Sequence, residues 1–143
     1  MIRANDLRLL LFSHVVCRPD AELDLGQAAL VLAEPEYPDL DIAHYQERLD
    51  GLAARLLPDI PSSAEPGERA QQLLELLCEE GFACARGDYD DPQASFLNFV
   101  IDEKHGLPIL LSVVALEVAR RCGVPLWGVS FPGHFLLRGE SPK

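Results

Sequence analysis

Acyl or amide chemistry needs a hydroxyl or thiol, a base within reach of it and an acid that orients the base. Few side chains here could form such a set. Of the four thiols, Cys17, Cys78, Cys84 and Cys122, the last closes an apolar run, where a helix dipole disfavours a thiolate. Cys78 sits beside Leu74 and reads as core packing, while Arg86 near Cys84 would favour the thiolate. Ser112 is the lone hydroxyl between Leu107 and Ala119. A serine in a buried helix commonly bonds the carbonyl one turn earlier. His134 lies in a Phe-Pro-Gly-His-Phe turn, Phe131 to Phe135. It is either a base serving Ser112 or a ring that bonds a carbonyl at the Pro132-Gly133 turn. The structural or binding role is preferred, because a base without nucleophile and orienter has no triad to join.

Metal and cofactor chemistry find less. The cysteines form no Cys-x-x-Cys pair, and His14, His44, His105 and His134 show no ligand spacing. Asp88, Asp90 and Asp91 suggest a calcium loop, but Asn98 and Phe99 stand where its closing glutamate belongs. A turn and a helix cap are the simpler reading. No metal and no cofactor is expected.

The 143 residues carry 12 basic and 23 acidic side chains, a net charge of −11. Such a charge opposes nonspecific nucleic-acid binding and docking on an anionic membrane. No apolar run reaches the length of a membrane span, and the one candidate leader, Leu7 to Val16, is short and flanked by charge. Reduced thiols in a cytoplasmic protein are expected.

The elements that must position these groups follow from periodicity and caps. Asn5 or Asp6 caps a helix to about Cys17, and a second helix runs from about Glu22 to Ala33. After the loop from Glu34 to Asp39, Asp41 caps a third helix to Leu57. Pro58 to Gly67 is the linker-like segment, Glu68 to Glu80 a fourth helix closed by Gly81, and Pro92 to Lys104 a fifth with Phe96 inward. His105 then reads as a cation at that helix's C-terminus. Pro108 opens a core helix, apolar nearly all round, that Gly123 stops; two short strands, Leu126 to Ser130 and Phe135 to Arg138, follow. Two strands alone make no stable sheet, so self-association through an exposed strand edge, or a fragment-like open sheet, is expected.

The chain resembles the transglutaminase-like proteins of the SirB type, whose domain also occurs inside an animal F-box protein. The residues that carry the resemblance are Asp88-Tyr89, Asp91-Pro92, Ser95-Phe96-Leu97-Asn98, Gly106-Leu107-Pro108-Ile109, Glu117 to Arg121, Gly123-Val124-Pro125 and Phe131 to Leu136. Ala94 departs from it, since the family usually has asparagine there. The resemblance implies a papain-related fold in which a cysteine opens the core helix, a histidine lies on the next strand and an acid on the strand after. On this chain the nucleophile position falls on Pro108, which has no nucleophilic atom, and the histidine position on His134. Only Glu140 lies between there and Lys143 as an acid.

These readings predict a single α+β domain over residues 1–143: a mostly helical N-terminal half (1–57), a linker-like loop (58–67) and a core part (68–143) with a buried helix on a short antiparallel sheet. The expected function is a noncatalytic protein-interaction or regulatory module, with His134, Pro132, Gly133, Asn98 and Pro108 as its binding residues and an unidentified protein as partner. An amide hydrolase or acyltransferase using Ser112 with His134 is the alternative. A third is structural support for a C-terminal repeat domain, since the resemblance implies that relatives continue into further sheet and helical repeats.

Overall fold

The computed structural model describes residues 24–84, 86–131 and 134–138, the backbone alone for 86, 127–131 and 134–138. The expected first helix, Cys17, Pro132 and Gly133 lie outside the described residues. Helix α1 (Leu25–Ala33) begins at Asp24, whose carboxylate accepts the Gln27 N–H, and α2 (Ile42–Leu56) begins in the same way at Asp41, which accepts from His44 N. A short 3₁₀ turn, Leu57–Asp59, leads into the segment read as a linker, where Ile60 is buried. Helix α3 (Pro66–Glu79) starts with its proline in the first turn, two residues earlier than expected, and Gly81 follows at φ +106°.

The expected fifth helix is broken. Pro92–Ser95 is a 3₁₀ turn capped by Asp91, Phe96 is extended, and only α4 (Leu97–Glu103) is α-helical. The break lets the Ala94 carbonyl accept the Leu107 N–H at 3.1 Å. It also sets the Phe96 ring edge-on to Tyr37. Gly106 is needed at this crossing, because a Cβ there would stand 2.3 Å from Val100 Cγ2. Helix α5 (Pro108–Cys122) then runs to Gly123, left-handed at φ +67°.

Leu30, Leu49, Leu73, Leu97, Val100, Val114 and Val118 are the largest apolar side chains sealed in the core. Each comes from a helix, and burying each contributes about 1.5–3 kcal/mol. The expectation of an α+β fold, with the core helix on an antiparallel sheet, is therefore corrected: among the described residues the core is helix on helix, with α1 to α4 packed round α5. Strand pairing amounts to one hairpin, β1 (Trp127–Phe131) with β2 (His134–Arg138), and an isolated bridge between Ala83 and His105. Ten residues of hairpin are too few to form a layer that could cover a fifteen-residue apolar helix.

Among the described residues four polar side chains are buried, Asp88, Asn98, Ser112 and Glu117, and the last of them joins two helices. Glu117, 2% exposed, accepts the Gly26 N–H at 2.7 Å and bonds to Arg120 and Arg121 at 2.7 and 2.5 Å. It ties α1 to α5. Burial alone would raise its pKa, but the two guanidiniums and the Gly26 amide outweigh that and hold the carboxyl below its ordinary range.

Candidate functional site

Pro108 occupies the first position of α5, and Leu107 before it supplies no side-chain cap. The helix N-terminus, where a thiolate would gain most from the dipole, therefore carries a pyrrolidine ring. One turn on, the buried Ser112 hydroxyl donates to the Pro108 carbonyl at 2.9 Å. Its proton is engaged with backbone. His134 opens β2, its backbone in register with Phe131. The structure brings Ser112 and Pro108 together; the imidazole of His134 lies outside the described side chains.

The thiols differ from their expected settings. Cys78 is exposed rather than packed in the core. Cys122 is buried, its Sγ 3.5 Å from the Ala53 carbonyl, and burial pushes its thiol up. Cys84 is also pushed up, first by desolvation and then by the charge of Asp88, to which it hydrogen-bonds as it does to Tyr89. The described neighbour that raises this thiol is a carboxylate, and the side chain of Arg86 lies outside the described ones. Asp88, 2% exposed, also meets His105 Nδ1 at 2.7 Å. His105, half-buried, pairs with this carboxylate and has Phe99 edge-on against its ring, rather than serving only a helix end. Asp88 thus neighbours both the Cys84 thiol and the His105 imidazole. Among the described residues no group of three or more His, Cys, Asp or Glu side chains could hold a metal ion.

The remaining predicted site residue stands elsewhere. Asn98, 3% exposed on α4, has no hydrogen-bond partner for its Oδ1. It lines a cleft of about 480 Å³ with the loop from Glu36 to Asp41 and the first turn of α2. That loop is held by turn bonds, Tyr37 N to Ala33 O and Leu40 N to Tyr37 O, both 3.0 Å. Tyr37 has its hydroxyl pushed up by burial, then by Asp91 and Glu36. Tyr45 donates to Asp102 at 2.6 Å; burial and then that bond push its hydroxyl up to about 12. Both shifts report a negative field. Sequence reasoning missed this cleft, because Asn98 lies far along the chain from the Glu36 to Tyr45 stretch that forms the rest of its wall; the acidic run at Glu34 to Asp41 was the only signal.

Residues 43–143 match the family profile described as the transglutaminase-like superfamily. A UPF0162 protein of Xylella fastidiosa (strain Temecula1) is 39% identical over 135 residues, 94% of this chain and 48% of that protein. A UPF0162 protein of Pseudomonas aeruginosa is 40% identical over 115 residues, 80% of this chain and 42% of its own. The F-box only protein 21 of Mus musculus is 45% identical over 53 residues, 37% of this chain and 8% of its own length. The chain spans about half the length of the bacterial relatives it matches. No solved structure matches it. Among the described residues no helix is long and apolar enough to cross a membrane. With the profile matched over more than half of its residues, the chain belongs to the transglutaminase-like superfamily.

Proposed function

We propose that this domain is a noncatalytic protein-interaction or regulatory module built on the transglutaminase-like scaffold. What carries the reading is Pro108 at the head of the core helix, where the resemblance to active relatives calls for a sulfur nucleophile. The engaged Ser112 hydroxyl and the raised pKa values of Cys84 and Cys122 support it. In these three groups neither a ready thiolate nor a free hydroxyl is offered as a nucleophile. Contact with a second copy through a strand edge belongs to the same proposal, since among the described residues β1 and β2 pair only with each other.

The test is labelling with a fluorophosphonate and, separately, a chloroacetamide probe, on the parent, Ser112→Ala and His134→Ala proteins. The expected result is no fluorophosphonate adduct and thiol labelling unchanged by His134→Ala. A fluorophosphonate adduct lost in both variants would establish the alternative, acyl transfer through Ser112 and His134.

A further inference from the structure

We propose that the cleft where α2 faces Phe82 and the C-terminal end of α4 binds a small organic carboxylate, its head held by Arg48, Arg55 and Lys104 and its apolar body lying by Phe82. The site does not depend on whether the domain is catalytic. The cleft encloses about 290 Å³, enough for an aromatic ring and its carboxylate. Three of the six described lysine and arginine side chains line it, in a chain of net charge −11, and no carboxylate does. The acids that pair with these cations stand outside the lining. Glu80 accepts from Arg55 Nε and Nη2 at 3.2 and 2.5 Å and lies 3.6 Å from Lys104 Nζ, while Asp102 pairs with Arg48. Both acids thus fix the cations in place, and the cavity itself is walled by positive charge. Donors are left over. Arg55 Nη1 makes no bond among the described residues, and Lys104, which gives one N–H to the Glu80 carbonyl at 2.9 Å, has more to give.

A glycine in the wall points the same way. Gly51 stands in the interior of α2 and lines the cleft, although glycine weakens a helix interior relative to alanine. Packing does not call for it, because a Cβ there would meet nothing within 4 Å. What its missing side chain provides is an open approach to the cations. Lys104 caps α4 at φ +62°, the one positive φ outside glycine among the described residues, at a place where glycine is common. The side chain kept there sets its Nζ 6.0 Å from the centroid of the Phe82 ring, at the cleft wall. Leu49, Leu52 and Ile101 supply the rest of the apolar wall. A bare inorganic anion would use the cations alone, and a neutral hydrocarbon only the apolar wall. A carboxylate on an alkyl or aryl body uses both, and a guanidinium matches its planar pair of oxygens. Two sources share this chemistry: a free organic acid and the C-terminus of a protein that ends in an apolar residue.

Backbone-amide NMR titration of the full chain tests it with four probes: 3-phenylpropanoate, 3-phenylpropanamide, acetate and an N-acetylated pentapeptide ending in phenylalanine with a free carboxylate. Saturable shifts at Gly51, Phe82 and Lys104 are expected with the phenylpropanoate or the peptide, and none with the amide. Acetate, which lacks the apolar body, should bind at least roughly tenfold more weakly than the phenylpropanoate. Tighter binding of the peptide identifies a protein C-terminus as the source, tighter binding of the phenylpropanoate a small molecule. Lys104→Gly suits the left-handed backbone and removes the ammonium, and it should weaken binding roughly tenfold, as should Arg55→Gln. Gly51→Gln brings a better helix former whose side chain crowds the approach. It should keep or raise the melting temperature while weakening binding roughly tenfold. No saturable shift with either acid overturns the proposal. So do equal shifts with the amide, acetate binding as tight as the phenylpropanoate, or binding that survives Lys104→Gly, Arg55→Gln or Gly51→Gln.

Discussion

Replacing Glu117 by alanine should lower the unfolding free energy by about 3–5 kcal/mol, the range for breaking a buried ion pair. The figure can be built from the contacts. Losing the carboxylate leaves the Gly26 N–H buried and unpartnered, which costs about 1–3 kcal/mol. Arg121, 14% exposed, loses one of its two carboxylates and keeps Asp50 at 2.6 Å, so it adds about 1–2 kcal/mol. Arg120 is 55% exposed, and its share is about 0–1 kcal/mol. Glu117→Gln keeps an acceptor for Gly26 but no charge, and should cost about 1–2 kcal/mol. Urea denaturation followed by circular dichroism measures both, and the pH dependence supplies a second reading. Because the folded carboxyl titrates below its ordinary value of 4.5, its stabilisation is complete above that value. It is lost as pH falls through 4.5 toward the folded pKa, and the glutamine variant should lack this part of the acid sensitivity. An alanine variant within about 1 kcal/mol of the parent, or a glutamine variant as unstable as alanine, would refute the assignment of this carboxylate as the tie between α1 and α5.

Gly26→Ala puts a Cβ 2.9 Å from Glu117 Cδ and should cost about 1–3 kcal/mol. The same change made in Glu117→Ala should cost nothing, and a coupling below about 0.5 kcal/mol in the double-mutant cycle would contradict the contact. Gly106→Ala, with its Cβ 2.3 Å from Val100 Cγ2, should destabilise by about 2–3 kcal/mol and be partly relieved by Val100→Ala, both read from denaturation midpoints. Asp88→Asn removes a charge that raises the Cys84 pKa, so Cys84 should alkylate faster near neutral pH. Peptide mapping of iodoacetamide adducts separates it from the exposed Cys78, and an unchanged Cys84 rate would argue against the contact.

What was legible in the sequence was local. Asp41 before Ile42, Pro108 opening α5 and Gly123 closing it act within a turn of themselves, and each stands where periodicity put it. What failed depended on partners far along the chain. Glu117 stands within a turn of Arg120 and Arg121, yet its third partner is an amide 91 residues earlier. The Pro92 to Lys104 helix read as continuous, because nothing local announces that Ala94 must turn its carbonyl to Leu107. Cys78 follows Leu76 and Leu77, both buried, and one residue of helical rotation carries it out to solvent. The strands at Leu126 to Arg138 look apolar enough for a layer, but among the described residues they form one hairpin that meets α5 beside the four helices packed round it, and the hydrophobic pattern alone does not assign that share. Asn98 came through the resemblance; its missing partner is a property of the assembled walls.

The bond from Gly26 to Glu117 also sets an order of events at the ribosome. Translation adds roughly 5–20 residues each second, so the 91 residues between the two ends take on the order of 5–20 s to appear. Throughout that interval α1 has neither its anchor nor the surface of α5 to lie on, and its apolar side, with Leu30 and Val31, stays open to whatever binds nascent chains. Helix α1 is made early and docks late.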